Sequence, residues 1–182
     1  MASVDKTLDI LNLQFTGGEN ETQLLIFSVD GEEFGIDVLL VQEIIRYIPP
    51  TKIPNAPRAV HGVINFRGEV IPVLDIRERF NLSEKAYDEF TVIVIIECDG
   101  KTMGLVVDKV SDIVNLPNKN TQALPEISFD EKTAYLKGMG KLGERLILLL
   151  DSDKLMDLKE KSQLNAMVDS VQEESSPDAA IG

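Results

Sequence analysis

One histidine and one cysteine are all that this 182-residue chain offers for imidazole or thiol chemistry. Any histidine-dependent general base or activated nucleophile must therefore use His61. His61 stands beside Gly62 at the start of an apolar run, where a solvated loop position is the plain reading. Cys98 precedes the dipeptide Asp99-Gly100, and a half-buried thiol beside a turn is more often inert packing than a nucleophile. One Cys with one His does not make a zinc site of the usual Cys/His kind, and a lone Cys forms no internal disulfide. The acid pairs Glu32-Glu33 and Glu173-Glu174 are sequence neighbours, so in extended chain their carboxylates diverge. Gly138, Gly140 and Gly143 spell GxGxxG, but they precede ERLILLL, a strand by composition. The dinucleotide motif needs the glycines to open a helix, so here they are turn glycines. No catalytic residue, cofactor or metal is expected.

A charged residue in an apolar setting is the remaining signal. In VINFRGEVIPVLDI, Val63 to Ile76, Arg67 and Gly68 interrupt β-branched runs. As a hairpin tip this needs little explanation, because glycine accepts positive φ and arginine reaches water.

The elements that would position these residues repeat. LLIFSVDGEEFGIDVLLVQEII, Leu24 to Ile45, aligns with IVIIECDGKTMGLVVDKVSDIV, Ile93 to Val114, at an offset of 69. Asp30-Gly31 then falls on Asp99-Gly100, Gly35 on Gly104, Glu43 on Asp112 and Ile44 on Ile113. HGVINFRGEVIPVLD, His61 to Asp75, aligns with KGMGKLGERLILLLD, Lys137 to Asp151, at an offset of 76. The change of offset places an insertion around Asn118 to Tyr135. In this second alignment Gly143 stands where Arg67 stands, so a generic hairpin does not require arginine there, and Lys137 stands where His61 stands.

Each half reads as a strand, an Asp-Gly turn and further strands. Units this small leave an open sheet edge unless the sheet closes, so the expectation is all-β, two packed five-stranded small barrels. The divisions expected are an N-terminal extension at 1–21, a first barrel at 22–85, a second at 86–151, a short C-terminal helix at 152–168 and a disordered acidic tail at 169–182. The net charge of −13 argues against nucleic acid, whose affinity rests on Lys and Arg neutralising phosphates. Most of that acidity lies in the two ends. No apolar run approaches the ~18 residues that cross a bilayer, and MASVDKTLDILNLQF lacks the basic start of a secretory signal. A cytoplasmic protein without membrane insertion is the expectation.

Read in order, FSVDGEEFGIDVLLVQEII, IPNAPRAVHGVINFRGEVIPVLDI, GLVVDKVSDIV and YLKGMGKLGERLILLLDSDKL resemble the CheW family of bacterial chemotaxis coupling proteins, from about Leu24 to Leu155. The resemblance implies a non-catalytic adaptor that links the cytoplasmic tips of methyl-accepting chemoreceptors to the histidine kinase CheA. It also implies recruitment to membrane-associated receptor arrays. Val41, Glu43, Gly62 and Arg67 match family positions for receptor coupling, and Gly104 and Ile113 match positions tied to the kinase. A helical receptor tip laid in a groove between the barrels is the implied geometry. The plainer reading of the same residues is that Gly62 and Gly104 are conformational and that Val41 and Ile113 face a core. Two alternatives are an adaptor of the same type for another receptor-kinase pathway, such as surface motility, and a small barrel that binds a ligand.

Overall fold

Asp30 and Gly31 adopt φ of 55° and 80°, and Asp99 and Gly100 adopt 52° and 74°. Two successive left-handed residues make the type I′ turn that suits the right-handed twist of a tight hairpin. The computed structural model describes residues 20–124, 131–156 and 160–167. The first of these turns joins β1 (Glu21–Val29) to β2 (Glu32–Asp37), and the second joins β6 (Val92–Cys98) to β7 (Lys101–Val107). The other strands are β3 (Val41–Arg46), β4 (Val60–Phe66), β5 (Glu69–Asp75), β8 (Lys109–Pro117), the two-residue β9 (Thr121–Gln122), β10 (Leu136–Leu142) and β11 (Arg145–Leu150). A single helical turn, α1 (Ile76–Arg79), follows β5, and a C-terminal helix, α2, occupies residues 160–167.

The strands form two sheets, one ordered β8-β1-β2-β11-β10-β9 and the other β3-β6-β7-β5-β4. The offsets read from the sequence map β1, β2, β3, β4 and β5 onto β6, β7, β8, β10 and β11. Applied to the second order they regenerate the first, apart from β9, so the repeat is a repeat of topology. The irregularities repeat too. The register shift at Gln42, between Val41 and Glu43, recurs at Ser111, and the one at His61 recurs at Lys137.

The sheets do not divide the chain at residues 85 and 86. Each half lends its first hairpin to the sheet of the other, through the parallel pairs β2 with β11 and β5 with β7. The physical reason lies in β1 and β6, which are apolar on both faces. Leu25 and Phe27 join one large cluster with Val92, Val94, Ile96, Leu105 and Leu150 between the sheets. Their alternates Leu24 and Ile26 sit with Leu116, Ile147 and Leu149 inside the first sheet. In the same way Ile93 and Ile95 sit with Ile64, Ile71 and Val73 inside the second. A strand buried on both faces must lie in the middle of its sheet, and each such side chain contributes about 1.5–3 kcal/mol.

A 3-10 turn, Val38–Leu40, carries the chain from the first sheet to the second, and the Asp37 side chain caps it by accepting the Leu39 N–H. The region expected to be one helix from 152 to 168 begins instead as a 3-10 turn, Ser152–Lys154, with α2 separate after it. Arg79 fixes α2 by donating from both terminal nitrogens to the Glu160 carboxylate at 2.8 and 2.9 Å. The acidic tail at 169–182 and most of the N-terminal extension lie outside the described residues.

Candidate functional site

The hairpin tip between β4 and β5 is Arg67-Gly68, at φ of 51° and 82°, a third type I′ turn. The Asn65 side-chain oxygen accepts the Gly68 N–H at 3.0 Å and stiffens it. In the second half the corresponding residue, Gly143, has φ of 62°. Arg67 therefore holds a conformation that glycine adopts freely and that costs a residue with a Cβ about 1–2 kcal/mol. Its side chain is 70% exposed, and Nη2 lies 3.4 Å from Glu43 Oε2. The guanidinium also lies 5.0 Å from the centre of the Phe66 ring. Because β3 and β4 are the two ends of the second sheet's strand order, the Arg67–Glu43 pair links its two edges.

Glu43's counterpart Asp112 is more tightly held. Arg145 donates to both its oxygens at 3.0 Å, and to both oxygens of Glu33 at 2.9 and 3.1 Å. Those carboxylates push the Arg145 pKa up. Each half thus pairs this acid with an arginine, but only Arg67 keeps most of its guanidinium in solvent.

The structure brings Glu43 and Arg67 together and separates the other expected residues from them. Strict alternation would put Val41 and Glu43 on one face of β3. The bulge at Gln42 splits them, with Val41 opposite Ile96 and Glu43 opposite Ile95, so Val41 packs half-buried on the core between the sheets. Gly62 is buried, and a Cβ there would lie 2.6 Å from the Thr51 carbonyl oxygen. Thr51 and Val63 exchange backbone hydrogen bonds at 2.8 Å, so Gly62 lets residues 47–59 dock on β4. Gly104 is buried below Ile93, whose Cγ2 would be 2.7 Å from an added Cβ. It lies at the parallel junction opposite Val73, as Gly35 lies opposite Leu149. Ile113 faces Leu25 and packs half-buried on the core between the sheets.

Two features escaped the sequence reading. Leu39, 71% exposed, sits on the crossover between the sheets, two residues before Val41. The unbroken apolar run Val38 to Val41 is its one trace in the sequence, since neither strand nor helix period buries four in a row. The second is a polar cluster around His61. The Tyr47 and Tyr87 hydroxyls are each 3.1 Å from His61 Nε2, Tyr87 donates to Asp75 at 2.8 Å, and Glu78 lies 3.5 Å from His61 Nδ1. The repeat placed Lys137 at the position of His61 but gave no hint that Asp75 and Glu78 gather there.

Chemistry at the thiol is opposed by its surroundings. Burial, then the hydrogen bond to Asp153 at 2.8 Å, pushes the Cys98 pKa up and disfavours the thiolate. The glycines of the GxGxxG spacing lie in and just after β10, in the hairpin to β11, so no helix opens there. Among the described residues no helix is long and apolar enough to cross a membrane.

Two sheets that exchange their first hairpins, with an arginine raised on a stiffened hairpin tip, define a module that acts through its surface. Residues 23–160 match the CheW-like domain, and the chain belongs to the CheW family. It is 40% identical to the chemotaxis protein CheW of Klebsiella aerogenes over 149 residues, which cover 82% of this chain and 87% of that one. Chemotaxis protein CheW of Bacillus subtilis is 32% identical over 141 residues, covering 78% and 90%. The crystal structure of the scaffolding protein TtCheW from Thermoanaerobacter tengcongensis superposes with a TM-score of 0.71 at 28% identity, covering 77% of this chain and 95% of that one. The chain is a chemotaxis coupling adaptor.

Proposed function

We propose that the protein couples the cytoplasmic tips of chemoreceptors to the histidine kinase CheA, with no catalysis of its own, and that it is a cytoplasmic protein drawn into membrane-associated receptor arrays by these partners. The observation that carries the receptor half of this reading is Arg67. It occupies a left-handed position that the second half fills with glycine, and one long ion pair leaves it 70% exposed. Backbone strain kept where the fold does not need it points to a contact made outside the fold. Arg67 and Glu43 supply the charged part of the receptor contact. Leu39 and Val41 supply the apolar part at the seam between the sheets, where a helical tip can lay one face. Gly62 acts through residues 47–59, whose docking it permits.

On the kinase side, Ile113 and Gly104 act through packing. The first supports the seam beneath the surface strands, and the second supports the parallel junction of the second sheet. Two similar sheets offer two unlike ends, so adaptor and CheW-like kinase domains can alternate head to tail and close into rings.

Titration of the protein with the regulatory domain of CheA, followed by a soluble receptor tip, tests the assignment. Saturable binding to both is the expected result. A folded protein with affinity for neither would overturn it.

A further inference from the structure

His61 owes its orientation to a bulge. The register of β4 against β5 shifts between Val60 and Gly62, so His61 is the extra residue and its ring is turned out of the ladder, as bulges re-aim side chains. The ring meets two carboxylates from other elements, Asp75 at the end of β5 and Glu78 in α1. One ligand atom from each of the three lies within 4.8 Å of the others.

We propose that His61, Asp75 and Glu78 form a binding site for a divalent transition-metal ion of the zinc or manganese type, which staples β4 to β5 and α1.

The ligand set is one imidazole and two carboxylates, a nitrogen-oxygen combination suited to zinc or manganese rather than to thiophilic ions. The 3.5 Å between His61 Nδ1 and Glu78 Oε1 is long for a hydrogen bond. It is close to the separation of about 3.4 Å between two ligands on one tetrahedral ion with bonds near 2.1 Å. The outer contacts already hold the ligands. Asp75 is 4% exposed and accepts the Tyr87 hydroxyl on Oδ2 at 2.8 Å and the Arg77 N–H on Oδ1 at 2.9 Å. The tyrosine hydroxyls contact His61 Nε2, and Nδ1 is the nitrogen that lies toward Glu78. Such second contacts orient ligands and fix the imidazole. Three protein ligands leave a fourth position open toward an adjoining cavity of about 550 Å³, where water completes the coordination.

The cations that border this cavity are Lys52, Arg77 and Lys85. Arg77 is engaged by Asp108, at 2.9 Å from Nε and 2.7 Å from Nη2, and Lys85 lies 3.9 Å from Asp88.

The internal repeat supplies an independent comparison. At the offset of 76, His61, Asp75 and Glu78 correspond to Lys137, Asp151 and Lys154. The bulge is conserved between the halves, with Lys137 as the extra residue, and so is the aspartate at the strand end, buried as Asp75 and half-buried as Asp151. The other two positions become ammonium groups, with Lys154 Nζ 3.9 Å from Asp151. The second half thus builds in the positive charge that the first half is arranged to take from an ion.

Calorimetric titration of the chelator-treated full-length protein with zinc, paralleled by cobalt(II) absorption spectra, tests the site. One equivalent should bind, with the melting temperature raised and ligand-field bands free of thiolate-to-cobalt charge transfer. Glu78→Lys, which copies the second half, and the milder His61→Gln should each weaken binding at least tenfold. Glu78→Gln replaces Glu78→Lys if the latter does not fold. Wild-type protein with no saturable binding, unchanged affinity in the folded variants, or a charge-transfer band from Cys98 would each overturn the proposal.

Discussion

Replacing Arg67 by glycine separates what this residue does for the fold from what it does for a partner. The substitution copies Gly143, which also has a positive φ at the first turn position of the β10–β11 hairpin, although the next residue there, Glu144, is not left-handed as Gly68 is. In the native turn a residue with a Cβ costs about 1–2 kcal/mol relative to glycine, and that cost disappears. Against it stand two losses. The Arg67–Glu43 contact at 3.4 Å, with one partner 70% exposed, is worth about 0.2–1 kcal/mol. The approach to Phe66 at 5.0 Å adds about 0.5–1 kcal/mol at an exposed site. Gains and losses nearly cancel, so stability should change by no more than about 1 kcal/mol. At this size that corresponds to about 2–4 °C in melting temperature. Receptor binding is a different matter, because an arginine anchor at the centre of an interface is worth about 2 kcal/mol or more, roughly 30-fold in affinity. Thermal melts, with titrations of a receptor tip and of the CheA regulatory domain, read the three quantities separately. The expected pattern is an unchanged melt, unchanged kinase affinity and receptor affinity lowered by roughly that factor. Receptor affinity within twofold of wild type, or a melting temperature lowered by about 10 °C or more, would refute the reasoning, since strain in the turn would then have neither partner nor benefit.

Gly62→Ala places a Cβ against the Thr51 carbonyl, a backbone atom that cannot rotate away. Overpacking of this kind costs about 1–3 kcal/mol, and hydrogen exchange at Thr51 and Val63 should speed up with it; native protection at both amides would contradict the steric account. Glu160→Gln leaves Arg79 without its charged partner at a site where both side chains are largely buried. A loss of about 1–3 kcal/mol is expected, below the ~3–5 of a fully buried pair, with exchange protection lost in residues 160–167. The pH dependence turns on Asp108: burial pushes its carboxyl up, but hydrogen bonds from Arg77 and the Asp30 N–H outweigh this and hold it below the usual range. A carboxyl lowered in the fold stabilises the protein above its unfolded pKa, about 3.9, and that contribution is lost as pH falls through the lower folded value. Asp108→Asn should therefore reduce stability at neutral pH and flatten the acid limb of a pH–stability curve, whereas parallel curves would count against the assignment.

The strands were legible because their physics is local. Asp-Gly dipeptides, β-branched runs and the repeat of both at fixed offsets located the tight hairpins at Asp30, Arg67, Asp99 and Gly143. Which strands would share a sheet was not legible, because a consecutive pairing and an exchanged one satisfy the same alternation. Only the two-faced burial of Leu24 to Phe27 and of Val92 to Ile96 favours the exchange, and it takes the whole fold to supply both covering layers. The bulges at Gln42 and His61 were hidden for a related reason. A single added residue leaves composition untouched and reverses which face each later side chain meets. That is why Val41 and Glu43, two residues apart on one strand, stand on opposite faces, and why His61 read as a solvated loop residue.

Comparison of the two halves turns this internal symmetry into a control. Where both halves agree, the common feature is explained by the shared topology. Gly35 and Gly104 admit the parallel strand, and Gln42 and Ser111 mark the same bulge. Agreement therefore argues against reading Gly104 as a direct contact, since its counterpart performs the same packing task in the other sheet. Where the halves differ within the same backbone, the fold does not dictate the residue. Arg67 against Gly143 and the His61–Glu78 pair against Lys137 and Lys154 are two such differences, and each changes charge or strain. Arg67 and His61 stand at opposite ends of β4 in the second sheet. Substituting one half by the residues of the other at these positions preserves the backbone each was selected on, and measures the function of the difference with the fold held constant.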